Sequence, residues 1–164
     1  MKRVAQPIIR RSHAKFRAID DRADASTNVW NPANYHVRQA FLFQGKYLNN
    51  AALSPLLKQT AADKALPAKV ANQVLIQLDK AWTSLFEAND EYKANPSKFP
   101  GRPKLPKYKH KTEGRNLVVF ELGAIWKSAL KSQEIAVSQL GFVVFTQHAP
   151  KRLDQVRITP KGGS

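Results

Sequence analysis

The feature that most constrains the fold is an apolar repeat between residues 67 and 92, which has the period of an α-helix. Apolar side chains recur there at intervals of four and three residues: Ala71, Leu75, Leu78, Trp82 and Leu85. This spacing places them on one helical face, so we expect a helix from Pro67 to about Tyr92, about 39 Å long at ~1.5 Å per residue, with that face buried. Trp82 and Phe86 are interpreted as core residues rather than as a platform for stacked bases.

Signals for further helices lie upstream of this repeat. Asn31 followed by Pro32 is typical of an N-cap and first-turn pair, and it predicts a helix over residues 32–43 that Gly45 ends. The pair Ser54–Pro55 predicts the start of another short helix. Few glycines and many alanines accompany these signals, so helices should dominate the first part of the chain.

The pattern changes to short β-strands after residue 116. The predicted strands are 117–120, 133–138, 141–146 and 155–159, with a helical interlude over 122–130. Residues 4–12 predict either a first strand or an extended arm. We therefore expect an α+β fold, in which a small antiparallel β-barrel or partial barrel of residues 1–12 and 96–161 is interrupted by a helical domain of residues 13–95. Residues 162–164, Gly-Gly-Ser, are interpreted as a probable linker remnant.

A basic strip, defined here as residues 98–115, separates the helical and β regions. It reads KFPGRPKLPKYKHKTEGR and contains seven basic residues against one acid, Glu113. Its glycines and prolines favour an extended chain, so the cations cannot pair along a helix and remain free to meet phosphates. Phe99 and Tyr108 could stack on bases. A solvated basic linker is the alternative interpretation.

A second basic cluster lies at the N-terminus, where residues 2–17 hold six cations and no acids. Two such clusters usually converge on one face when the partner is a single nucleic acid, although a distributed solvated surface is the alternative. The candidate RNA-binding residues of both clusters are Arg10, Arg11, Lys15, Arg102, Lys104, Lys107, Tyr108, Lys109, Lys111 and Arg115.

The overall charge also implies a polyanionic partner. The chain has 27 Lys and Arg against 12 Asp and Glu, a formal charge of +15, while 43% hydrophobic residues suffice for a folded core. The absence of cysteine excludes disulfides and thiolate zinc sites. No signal peptide or transmembrane pattern occurs, so we expect a cytoplasmic, nucleoid-associated protein that does not enter a membrane.

No residue pattern indicates catalysis, and we expect no catalytic residue, metal ligand or cofactor in this chain. Asp20 and Asp24 would share a helical face, but pairing with Arg17 and Arg22 explains them better than metal binding. The four histidines are dispersed, and neither G-x-G-x-x-G nor G-x-x-x-x-G-K occurs.

Four segments resemble one family. Residues 26–39, STNVWNPANYHVRQ, resemble the S-x-N-L-Y-N-x-A-x-Y-x-V-R-Q pattern near the start of transposon-encoded TnpB proteins, RNA-guided endonucleases related to type V CRISPR effectors. The chain is similar to this family again at residues 65–82, 98–109 and 156–161, in the same order. These four segments together are more specific than any one of them.

The resemblance implies a bacterial or archaeal protein with a wedge-like β-barrel interrupted by a helical recognition domain. Together these parts would bind a guide RNA and double-stranded target DNA with a short adjacent motif. The family's RuvC-like nuclease domain, where Mg²⁺ would be expected, and its cysteine-paired zinc ribbon are not in this sequence. We therefore expect a nucleic-acid-binding portion without cleavage activity of its own, for which a separate chain could supply the nuclease half.

The resemblance also suggests contacts on the first recognition helix, at Asn31, Tyr35, Arg38 and Gln39. For Asn31 a helix cap, and for Tyr35 a packing role, are equally good interpretations, so Arg38 is the better contact. Two other functions remain open from the sequence. One is a free-standing structural RNA-binding protein, and the other is a nuclease-dead DNA-binding repressor.

Overall fold

The computed structural model describes residues 4, 6–137, 143–146 and 153–161. About 54% of the described residues are helical and about 10% are in strands, so the fold is α+β as expected. The helices are α1 (Phe16–Gln44), α2 (Asn50–Leu57), α3 (Ala61–Lys64), α4 (Ala68–Ala94) and α5 (Lys127–Leu130), and the strands are β1 (Val118–Glu121), β2 (Glu134–Ala136), β3 (Val143–Phe145) and β4 (Gln155–Ile158). Short 3₁₀ turns cover Pro96–Lys98 and Leu122–Ala124.

Helix α4 confirms the helix that the apolar repeat predicts, since it follows Pro67 and ends at Ala94. Its apolar face is buried, and Val74, Leu78 and Trp82 are fully inaccessible to solvent. This face packs against α1, α2 and β1. The interpretation of Trp82 as a core residue is therefore confirmed.

Helix α1 is longer than the sequence predicts, because it runs through Pro32 without a break. The prediction that Asn31 caps a helix at this point is wrong. A proline inside a helix removes one hydrogen bond and costs roughly 3 kcal/mol, but the buried side chains of Val29, Ala33 and Val37 offset that loss by packing in the core. The predicted end is confirmed, since Gly45 has φ +63° and its N–H donates to the Ala40 carbonyl.

The two short helices begin at side-chain caps. Helix α2 starts at Asn50, because the Asn49 side chain accepts from the Ala52 N–H at 3.0 Å. The predicted start at Ser54–Pro55 is therefore wrong, and both residues lie inside the helix. Helix α3, which the sequence analysis did not predict, is capped by Thr60.

The four strands form two antiparallel pairs. Strand β1 pairs with β4, aligning Val118 with Ile158, and β2 pairs with β3. A single bridge between Ile125 and Val137 connects the β1–α5 region to β2. All four strands overlap the predicted ones, but within the described residues they do not close into a barrel. Helix α4 instead covers β1, whose Val118 and Phe120 are buried.

The N-terminal segment adds no strand to these sheets over residues 4 and 6–12, where the chain is irregular and then turns. Ile8 is 63% exposed, so this segment does not contribute a buried strand. The predicted linker at 162–164, and residues 141–142 of the predicted third strand, lie outside the described residues. Within the described ranges, no helix combines the length and the apolar composition needed to cross a membrane.

Candidate nucleic-acid interface

The second half of the basic strip is held along α1, without regular structure to residue 110 and then through a turn over residues 111–113. Side chains of α1 hydrogen-bond to its backbone in reverse order of residue number, so the strip runs antiparallel to the helix. From one end to the other, the contacts join Asn34 to Pro106, Asn31 to Lys109 and Thr27 to Gly114. Ser26 continues the series by donating to the Leu117 carbonyl, two residues beyond the strip. One continuous helix therefore positions the strip.

Asn31 makes the best-defined of these contacts. Its side-chain amide donates to the Lys109 carbonyl at 2.9 Å, and its side-chain oxygen accepts from the Lys109 N–H at 2.8 Å. The side chain thus satisfies both backbone groups of one residue, as a neighbouring β-strand would. Trp30 adds a hydrogen bond from its indole N–H to the Lys107 carbonyl at 3.1 Å.

Asn34 links the strip to the core. Its amide donates to the Pro106 carbonyl at 3.0 Å, and its oxygen accepts from the indole N–H of Trp82 at 3.1 Å. Both side chains are fully buried. Because a buried polar group without a partner is costly, this chain of hydrogen bonds fixes the strip relative to α4 as well as to α1.

An ion-pair cluster holds the C-terminal end of the strip. Arg115 donates two hydrogen bonds of 2.8 Å to the carboxylate of Asp20 and lies 3.3 Å from a carboxylate oxygen of Asp24. The hydrogen bond from Arg115 lowers the pKa of the Asp20 carboxyl below its ordinary value, although partial burial acts in the opposite direction. Asp20 and Asp24 thus pair with Arg115, a partner that the sequence analysis did not predict.

This pairing changes the interpretation of Arg115 as a candidate RNA contact. Its guanidinium also donates to the carbonyls of Thr112 and Gly114, each at 3.0 Å. A cation neutralised by two carboxylates within the chain contributes little to phosphate binding. Arg115 therefore has a structural role in the strip.

The other cations of the strip differ in their surroundings, and the first of them, Lys98, is ion-paired with Glu91 at 2.7 Å. Arg102, Lys104, Lys107 and Lys111 are exposed, and in the part of the chain that the structure describes none of the four makes an ion pair. Lys109 is half-buried, with its ammonium 5.1 Å from the centre of the Trp30 ring. Four exposed cations without an ion pair in the described part of the chain thus follow one another along the strip, and Lys107 and Lys111 lie in the part that α1 holds.

Tyr108 lies among these cations. Its ring is 44% exposed, and the Arg38 guanidinium lies over it at 4.8 Å from the ring centre. Arg38 therefore lies beside Tyr108 of the strip, which is where a residue expected to contact the same nucleic acid should lie. Tyr35 is 52% exposed on the same helix, which excludes a buried packing role, and Gln39 is half-buried.

The N-terminal cluster lies near the C-terminal end of the strip, where Arg115 pairs with Asp20. Arg10, Arg11 and Lys15 are exposed and directly precede α1. Arg11 is close enough to Asp20 to help lower the pKa of its carboxyl, and Asp20 is the partner of Arg115. Arg11 of the N-terminal cluster and Arg115 of the strip therefore both lie near Asp20, close to the start of α1.

The sequence analysis missed the residues that anchor the strip. Ser26, Thr27 and Asn34 are polar and completely buried, and Trp30 is buried beside them. The sequence did contain a signal for them. Polar side chains at positions 27, 31 and 34 share one face of the helix, and polar groups that are buried there need hydrogen-bonding partners. In the described ranges, no group of three or more histidine, aspartate or glutamate residues is arranged to hold a metal ion.

No protein-family model matches this sequence, and no curated protein matches it either.

Proposed function

We propose that this chain is the portion of an RNA-guided, transposon-associated DNA endonuclease that binds the guide RNA and the target DNA. The observation that carries the proposal is the basic strip, whose residues 106–114 are held by α1, while Arg102, Lys104, Lys107 and Lys111 stay exposed. A preorganised row of cations binds a polyanion without first losing chain entropy. The resemblance to TnpB proteins supplies the identity of that polyanion.

The strip combines charge with a stacking group. Tyr108 has Arg38 over its ring and remains 44% exposed, so a base can stack on the surface that Arg38 leaves uncovered. Single-stranded RNA is bound in this way, by cations that follow the phosphates and by aromatic rings that receive bases. The proposed RNA contacts are Arg10, Arg11, Lys15, Arg38, Arg102, Lys104, Lys107, Tyr108, Lys109 and Lys111.

The proposal also gives the two strand pairs a role. In this proposal they are the described part of a wedge-like β domain, which is not a closed barrel within the described residues, and residues 13–95 form the recognition domain inserted into it. The bridge between Ile125 and Val137 supports this assignment, because it connects the β1–α5 region to the β2–β3 pair. Target DNA with its short adjacent motif would bind jointly to the two parts. No cleavage step is assigned to this chain, since the proposal leaves Mg²⁺-dependent chemistry to a nuclease part.

Binding of RNA by lysine variants tests this function. We expect the double variant Lys104→Ala/Lys107→Ala to bind the noncoding RNA of the host locus more weakly, with a log–log salt slope reduced by about 0.7 for each lysine that neutralises a phosphate. The matched control is Lys64→Ala/Lys80→Ala, which removes two exposed lysines of α3 and α4. Filter binding across a salt series measures both.

Two results would contradict the proposal. One is equal affinity of the wild-type protein for the host noncoding RNA and for an unrelated hairpin of the same length, which would indicate a general RNA-binding protein. The other is an equal loss of affinity in the test and control variants, which would show that total charge, and not the strip, drives binding.

A further inference from the structure

A cleft of about 510 Å³ lies at one end of the basic strip, between the C-terminal parts of α1 and α4. Its apolar lining is aromatic and comprises Phe41, Phe86 and Tyr92. Arg102 of the strip completes the lining on the other side. The cleft is therefore continuous with the surface to which the proposed function assigns RNA.

The aromatic rings are held in place but not covered. Phe41 packs on Phe86 with ring centres 5.6 Å apart, and Phe99 packs against the edge of Tyr92 at 5.8 Å. Phe41, Phe86 and Tyr92 are all half-buried. The core below them, through Trp82, sets the positions of Phe41 and Phe86, and Phe99 sets that of Tyr92. The three rings offer an apolar surface of the kind on which nucleobases stack.

The polar groups of the cleft suit a base and its phosphate. Asn89 is half-buried and lies at the cleft, and among the described residues its side-chain amide has no hydrogen-bond partner. An amide offers both a donor and an acceptor, which is what the edge of a base requires. Lys93 is drawn towards Asp90 at 3.5 Å, whereas Arg102 makes no ion pair within the described ranges. Arg102 is thus available to a phosphate.

We infer that this cleft binds one base of a single-stranded RNA, turned out from a strand whose phosphates follow the basic strip. The inference rests on the proposed function, and it adds a subsite formed by Asn89, Tyr92 and the two phenylalanines. Because Arg102 belongs to both the cleft and the strip, a strand bound along the strip passes the mouth of the cleft. An acidic peptide with an aromatic anchor is the competing occupant.

The test compares a short fluorescent oligouridylate with an oligomer of the same length that lacks the bases. We expect the wild-type protein to bind the oligouridylate about tenfold or more tightly than the abasic strand, since aromatic stacking contributes in that range. Tyr92→Leu and Asn89→Ala should weaken binding of the oligouridylate several-fold and leave binding of the abasic strand unchanged. Asn72→Ala is the matched control, because Asn72 is exposed on the same helix and far from the cleft.

Photocrosslinking of the wild-type protein to an oligomer containing 4-thiouridine gives a second measurement that does not depend on variants. We expect crosslinks to peptides that contain Phe41, Phe86 or Tyr92. Crosslinks confined to Tyr108, with both variants binding like wild type, would overturn the subsite and leave RNA binding intact. Failure of the wild-type protein to bind either oligomer or the host noncoding RNA would overturn the proposed function and the subsite together. Displacement of the oligouridylate by an acidic phenylalanine peptide at lower concentration would assign the cleft to a protein.

Discussion

Replacing Asn31 with alanine removes the two hydrogen bonds that hold Lys109 of the strip against α1. Each such bond contributes about 0.5–1.5 kcal/mol net, so the loss is about 1–3 kcal/mol in the free energy of unfolding. Alanine is the better helix former, which returns about 0.5 kcal/mol. For a chain of this size, each kcal/mol corresponds to a fall of about 2–4 °C in melting temperature.

Urea denaturation followed by helical circular dichroism measures this difference. Asn72→Ala is the control, because it has the same gain in helix propensity at an exposed position of α4 and breaks no contact of the strip. The variant should also bind RNA more weakly, because the cations near Lys109 lose their fixed backbone. If Asn31→Ala is no less stable than Asn72→Ala, then α1 does not hold the strip in the way described here.

Two further predictions concern the C-terminal end of the strip. Because the pKa of Asp20 is lowered in the folded state, its pairing with Arg115 stabilises the protein above the unfolded pKa, near 3.9, and is lost as the pH falls through the folded value. Asp20→Asn should therefore lower the free energy of unfolding by about 1 kcal/mol at pH 7. Below about pH 4, the free energy of unfolding of the variant should fall less with decreasing pH than that of the wild type. An equally steep fall in the variant would contradict the pairing. At Gly114 a Cβ would lie 2.6 Å from the backbone nitrogen of His110, so Gly114→Ala should destabilise the turn by about 1–3 kcal/mol. Gly101→Ala, where a Cβ meets nothing within 4 Å, is the control, and equal melting temperatures of the two variants would contradict this packing.

Local patterns in the sequence predicted the elements whose cause is local. The repeat of α4 follows from one helical face, and the end of α1 follows from the left-handed conformation at Gly45. The four strands could also be located, because their runs of β-branched and aromatic residues are short and distinct. Their pairing into two separate sheets could not be predicted, since it depends on how α4 covers β1.

Tertiary contacts explain where the sequence analysis went wrong. A local rule makes Asn31 a helix cap, but its side chain has partners 78 residues away, in the strip. The pairing of Asp20 with Arg115 spans 95 residues, so local charge patterns could not predict it. The composition of the strip predicted a basic, extended segment, and the turn over residues 111–113 interrupts that course. It did not predict that buried polar groups of α1 hold the backbone of the strip.

The antiparallel docking on α1 makes the strip a segment of fixed length. Side chains of α1 between Asp20 and Asn34 bind the strip at fixed positions along the helix. Two of the bound positions in the strip are Lys109 and Gly114. An added residue between Lys109 and Gly114 would have to bulge outwards from the helix. An exchange of one exposed cation for another would leave the backbone hydrogen bonds unchanged. The strip can thus change in composition far more easily than in residue count.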